Sequence, residues 1–213
     1  MATVTQGRPL RRGAMKQEGA LYDFLFNVKE VVNTALNSNL SLEPAAAAPS
    51  VTTMTKGSGV SAAESYAAGV FKSGTLITTR IVVDLTGLVG SGTDVDIIGN
   101  TGGAANCHWG QITTAFNGTI VGGQVTCLEV PAGGTNDIDF YSANEATGAQ
   151  DALITSLVET ALVTSGGAWT SGASKGMTTV PPANDYLYIT NGAASGGTFT
   201  AGKFIIELYG YAA

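Results

Sequence analysis

Charge is scarce in this chain. Asp, Glu, Lys and Arg make up 12% of its 213 residues, about half the usual share. Histidine occurs once, at His108. A Ser-His-Asp triad or a multi-histidine metal centre therefore has little to build on, and His108 reads as a structural histidine with its hydrogen bonds satisfied. The glycines follow neither the P-loop nor the dinucleotide-binding pattern. There are two cysteines, Cys107 and Cys127. They fall on opposite faces of the strands expected around them, so both are expected to be reduced. No run of 18 apolar residues offers a membrane-spanning helix. Residues 2–16 lack the apolar core of a secretory signal. The residues call for no cofactor and no metal, and an enzyme is the least supported class.

Small and neutral side chains fill the gap. Glycine occurs 29 times and hydrophobic residues make up 44%. That mixture describes short strands joined by many tight turns around a real core. It also describes a surface that loses little side-chain entropy when a partner covers it. The few charges are uneven. Arg8, Arg11, Arg12 and Lys16 stand without an acid in residues 1–16, a charge of +4. Residues 73–213 hold three cations, Arg80, Lys175 and Lys203, against eleven acids, a charge of −8. Binding to phosphates needs clustered cations, so nucleic acid is not expected as a partner. Arg8, Arg11, Arg12 and Lys16 suit an acidic protein surface or solvent.

Composition divides the chain into four parts. Residues 1–19 read as an extended basic arm, because Gly7, Pro9, Gly13 and Gly19 oppose a helix. Residues 20–40 read as an α-helix. Leu21, Phe24, Leu25, Val28, Val31, Val32, Ala35 and Leu36 recur at helical spacing. That face packs either on its own domain or on symmetry mates. Its one cation, Lys29, makes a membrane surface a poor partner. Residues 41–74, rich in Ala, Gly, Ser and Pro, read as a linker or strap. Residues 75–213 read as a β domain. The fold class is mainly β: an antiparallel β-sandwich or jelly-roll-like domain behind the arm and the one helix.

Within the β domain, Asn117-Gly118 is the strongest turn signal. A type I′ turn there predicts a central hairpin from Cys107 to Leu128, with Gly122-Gly123 marking a bulge. Ile77, Ile81, Val83 and Leu85 share one face of a strand; Leu76, Thr78, Arg80 and Val82 share the other. Residues 94–99 read as a short strand. From Asp137 to Tyr141 the pattern alternates, with Ile138 and Phe140 inward. Residues 149–163 fit a helical face or a strand, and a short helix or irregular crossover is the favoured reading. Trp169 is the expected anchor of a loop-rich stretch. Tyr186–Thr190 and Lys203–Tyr211 are expected to pair as a second hairpin. Phe204, Ile206 and Leu208 then point inward. Ile205, Tyr209 and Tyr211 point outward beside Lys203 and Glu207. That outward face is apolar for free solvent, so Tyr209 and Tyr211 are candidate partner-binding residues. Asp94/Asp96 and Asp137/Asp139 are i, i+2 pairs, a spacing that admits Ca²⁺ or acid-base chemistry but more often marks turn edges.

The β domain resembles virion structural proteins of tailed phages that infect aquatic bacteria, cyanobacteria among them. The residues that carry the likeness are D-L-T-G-L (84–88), D-V-D-I-I-G (94–99), H-W-G-Q-I-T (108–113), C-L-E-V-P (127–131), D-I-D-F-Y-S-A (137–143), Y-L-Y-I-T (186–190) and T-A-G-K-F-I-I-E-L-Y-G-Y (200–211). The resemblance covers residues 75–213 and defines no catalytic site. It implies a capsid decoration or cement protein on the outer head surface, made in the host cytoplasm. It implies a major capsid protein as partner and a homo-oligomer, a trimer in preference to a dimer. The alternative it leaves is a tail, neck or fibre module that binds host glycan on exposed aromatics such as Trp109 or Tyr141.

Overall fold

The computed structural model describes residues 54–212. They are mainly β, with ten strands in antiparallel sheets and one short helix. The strands are β1 (Tyr66–Ser73), β2 (Leu76–Asp84), β3 (Val89–Gly90), β4 (Thr119–Ala132), β5 (Ile138–Ala143), β6 (Glu159–Val163), β7 (Ser174–Gly176), β8 (Tyr186–Asn191), β9 (Gly197–Thr198) and β10 (Ala201–Tyr211). The helix α1 is Thr114–Asn117. One sheet has five strands in the order β1-β2-β10-β4-β7. A second has three, β6-β5-β8, and β3 pairs with β9.

Period-two patterning builds the large sheet. In β2 the residues Ile77, Thr79, Ile81 and Val83 are buried, and Leu76 and Arg80 are exposed. In β10 Phe204, Ile206 and Leu208 are buried, and Tyr209 and Tyr211 are exposed. Both agree with the faces expected from the sequence. The buried faces meet the small sheet at an aromatic cluster. The rings of Phe140 on β5 and Phe204 on β10 stand edge-on, 5.3 Å apart. Trp169 completes the cluster, 5.3 Å from Phe204 and 6.1 Å from Phe140. Its indole N–H donates to the Ile138 carbonyl at 2.8 Å. Three large rings packed edge to face add to what their apolar area contributes. Trp169 is thus the buried anchor that the sequence predicts, and Cys107 and Cys127 are both free and buried.

The central hairpin does not form. Residues 114–117 turn into α1, and β4 pairs with β10 and β7 instead of with residues 107–113. Asn117 explains the difference. Its side chain is buried, its Oδ1 accepts the Thr113 N–H at 2.8 Å, and its Nδ2 donates to the Thr79 hydroxyl at 2.8 Å. Asn-Gly therefore closes a helical turn, with Gly118 at φ 68° just past its end. An irregularity lies just before the Gly122-Gly123 pair expected to mark it, and those two glycines keep register with Tyr209 and Leu208. Tyr209 faces Gly122 while Gly210 faces Ile120, which leaves Val121 as the extra residue.

The terminal hairpin is also replaced. β8 lies beside β5 in the small sheet, and β10 lies between β2 and β4 in the large one. The stretch read as a linker is folded from residue 54 onward. Met54, Val60 and Ala63 are buried in the core, and β1 occupies residues 66–73. Residues 94–99 make isolated bridges through Asp96 and Ile97 rather than a strand. At 149–163, where a short helix or irregular crossover is the favoured reading, a 3-10 turn at Ile154–Ser156 is followed by a strand, β6. In β5 every residue is buried, not only Ile138 and Phe140, because β6 and β8 flank it and both its faces are covered.

Candidate interaction surface

The face of the large sheet turned away from the core carries a row of large side chains. The register places them. Tyr211 stands between Leu76 on β2 and Thr119 on β4. Tyr209 stands between Thr78 and Gly122, and Phe71 on β1 lies across from Thr78. Leu76 is 67% exposed, Phe71 45%, Tyr211 42% and Tyr209 39%. Val121, pushed out by the bulge, is also exposed. Few-residue apolar exposure is ordinary, but neighbouring positions on four strands form one patch.

A fixed charge network borders the patch. Glu207 faces Arg80 on β2 and Gln124 on β4. Its Oε1 accepts from Arg80 Nη2 at 2.8 Å and Nε at 3.0 Å. Its Oε2 accepts from Gln124 Nε2 at 2.9 Å and from the Tyr209 hydroxyl at 3.4 Å. Hydrogen bonds from Gln124 and then Arg80 hold the Glu207 carboxyl below the usual carboxylate range. Burial, and then the Glu207 charge, push the Tyr209 phenol up. Further along β10, Lys203 bridges Glu129 at 2.9 Å and Asp84 at 3.2 Å. The charges beside the patch are thereby held in ion pairs, and the patch itself offers apolar and phenolic groups.

Of the residues predicted to bind a partner, Tyr209 and Tyr211 lie on this patch. Arg8, Arg11, Arg12, Lys16, Leu21, Phe24, Leu25, Val28 and Val32 lie outside the described residues. Phe71 was missed. Its signal was present in the alternation of G-V-F-K-S, hidden by the Ala- and Ser-rich text around it. Trp109 and Tyr141, named as glycan platforms, are 0% and 7% exposed and belong to the core.

Three other groups complete the inventory. His108 is half-buried, with its ring 4.8 Å from that of Tyr186; burial lowers its pKa. It lines a cavity of about 290 Å³ with Met54, Thr55, Gln111, Thr113, Phe116 and Tyr186. Contrary to the expectation of a satisfied histidine, its buried Nδ1 has no hydrogen-bond partner among the described residues. Asp139 is buried and accepts the Ser165 N–H. Burial, opposed by that bond and reinforced by Asp137 and Asp94, raises its pKa to about 6. Asp96 is buried and accepts from the Ser91 hydroxyl, while Asp94 is exposed. Among the described residues no cluster of three or more His, Cys, Asp or Glu side chains is placed to hold a metal ion, and no helix is long and apolar enough to cross a membrane. Comparison with protein-family models, with curated proteins and with solved structures found no match.

Proposed function

We propose that this chain is a structural protein of a tailed-phage virion, and that it acts as a capsid decoration or cement protein. The observation that carries the reading is the patch on the large sheet. Leu76, Phe71, Tyr209 and Tyr211 present apolar and phenolic surface from adjacent strands. The Arg80–Glu207–Gln124 network ties β2, β10 and β4 together beside it. Such a face binds by burying area and needs no catalysis. The sequence resemblance supplies the setting, and the two sheets packed through Phe140 and Phe204 suit its β-sandwich or jelly-roll fold. The acidic β domain is repelled by packaged DNA, which favours the outer head surface.

In this reading the chain functions as a binding module, with the major capsid protein as partner. Each copy ties neighbouring capsid subunits together and adds buried area against the pressure of the packaged genome. A cryo-electron microscopy map of intact virions tests it. Density for this chain at two-fold or three-fold positions of the head supports the cement role. Density only at the tail or neck assigns the chain to the fibre-associated alternative.

A further inference from the structure

At one end of the small sheet the start of β5 meets the end of β8. Asp139 stands opposite Thr190 in the register, and beyond it the Gly192 N–H donates to the Asp137 carbonyl at 2.8 Å. Facing residues of an antiparallel pair share a face, and so do positions i and i+2 of a strand. Asp137, Asp139, Thr190 and Gly192 therefore form a square on one face. A Cβ on Gly192 would lie 2.5 Å from Asp137 Oδ1 and 3.1 Å from Asp139 Oδ1, so both oxygens flank one point above that glycine. Two oxygens of the square are buried with no hydrogen-bond partner among the described residues. They are Asp137 Oδ1 and the hydroxyl of Thr190, a residue 0% exposed. Asp139 is buried too, and its Oδ1 accepts the Ser165 N–H. Carboxylates taken out of water need positive charge beside them. Lys175 acts on both Asp137 and Asp139 by its charge, yet among the described residues it forms no ion pair. Its ammonium donates to the Ser165 carbonyl and lies 4.6 Å over the Trp169 ring. Asp94, exposed, adds a further negative charge within range of both.

We propose that Asp137, Asp139 and Thr190 hold a calcium ion above Gly192. Two carboxylates and a hydroxyl make the site, rather than a cluster of three acids. Every donor is an oxygen, which selects a hard cation over zinc or copper. Calcium accepts six to eight oxygen ligands in flexible geometry and completes its shell with water, whereas magnesium demands a near-ideal octahedron. Glycine at 192 is part of the design, because any side chain there would enter the space between the two carboxylates. The ion offsets the repulsion between Asp137 and Asp139 and ties the start of β5 to the end of β8. With two carboxylate ligands the site belongs to the weak class, with a Kd of about 10⁻⁴–10⁻³ M. The site stands independently of the virion reading.

Calcium itself, added to the chelator-treated full chain, is the probe. Calorimetric titration is expected to show one Ca²⁺ bound per chain. The thermal unfolding midpoint is expected to rise by about 3–6 °C at about 10 mM Ca²⁺, and to rise less in Mg²⁺ or in NaCl of equal ionic strength. Asp137→Asn and Asp139→Asn keep the shape of the square and are expected to weaken calcium binding at least tenfold, with unchanged circular dichroism. Glu64→Gln, which removes an exposed acid ahead of β1, is expected to leave binding as it was. Should Asp137→Asn fail to fold, Asp139→Asn decides alone. Three results overturn the proposal. The first is no response to calcium, the outcome if the two carboxylates satisfy each other by sharing a proton. The second is a midpoint shift matched by NaCl, which would be screening of like charges. The third is undiminished binding in a folded Asn variant.

Discussion

Arg80 and Glu207 stand directly opposite each other on β2 and β10, and Glu207 Oε1 takes two guanidinium hydrogen bonds at 2.8 and 3.0 Å. They are 127 positions apart in sequence. The pair reports whether the large sheet has assembled, and it also bounds how much surface charge stabilises this fold. The Arg80 side chain is 51% exposed. Exposed pairs contribute little.

Glu207→Gln is expected to cost about 1 kcal/mol or less in urea unfolding at pH 7. The folded carboxyl titrates below its ordinary 4.5. Its contribution is therefore present above that value and fades as pH falls through the folded pKa. The difference between parent and variant should shrink below pH 4.5. A difference that persists in acid would assign the effect to packing.

Asp139 has the opposite sign. Its folded pKa is about 6 against 3.8 in the unfolded chain. Between those values the folded state holds the proton and the unfolded state does not, so stability falls as pH rises from about 4 to 6. Asp139→Asn keeps an oxygen for the Ser165 N–H and removes the titration. The variant is expected to be more stable than the parent at pH 7 by about 1–2 kcal/mol, and equal to it near pH 4. Unfolding midpoints across that window check it, and a gain already present at pH 4 would refute the cause given.

The two tryptophans should respond differently to Phe. Trp169 donates its indole N–H to Ile138, whereas Trp109 Nε1 has no partner among the described residues. Both are buried. Trp169→Phe leaves the Ile138 carbonyl short of a donor and opens space beside Phe204, a loss of about 2–4 kcal/mol. Trp109→Phe carries the volume loss alone and is expected to cost less. Thermal unfolding of the two variants side by side decides it.

Gly118→Ala is expected to be among the most damaging single changes. Gly118 sits at φ 68°, and an added Cβ would meet the Tyr211 carbonyl oxygen at 2.3 Å. Strain and overlap together should cost about 2–4 kcal/mol. Because the clash falls on the last residue of β10, amide exchange should speed up first around Tyr209–Tyr211.

Leu76→Asp and Tyr211→Ser test the patch itself. Both residues are exposed, so stability should change by no more than about 0.5 kcal/mol. Binding to isolated capsids should fall at least tenfold, measured by co-sedimentation. Undiminished binding would remove this face from the proposed function.

The sequence made β2 and β10 legible because each has one buried and one open face, and period two survives there. It misled at Asn117-Gly118, where the dipeptide suits a hairpin turn and a helix end alike. What decides between them is Thr79, 38 positions away, whose hydroxyl takes the Asn117 amide. It misled again at Tyr186–Asn191, since adjacency along the chain favours pairing with β10 and says nothing of β5. β1 was hidden by composition: Ala, Gly and Ser read as linker until β2 offers Ile77 to Val83 as a template. Of the patch, Tyr209 and Tyr211 were visible from strand alternation alone, whereas Phe71 needed the strand to be recognised first.

The position of β10 has a consequence for how the molecule comes into being. β2 and β4 do not touch each other as neighbours; Ala201–Tyr211 lies between them and pairs with both. A ribosome has therefore made almost all of residues 54–212 before the large sheet has its middle strand. Until then β2 and β4 each expose a bare edge and an apolar face. Topology of this kind slows folding and lengthens the time in which growing chains can stick to one another. Yield of this protein in a foreign host should depend on temperature and chaperone supply more than its finished stability would suggest.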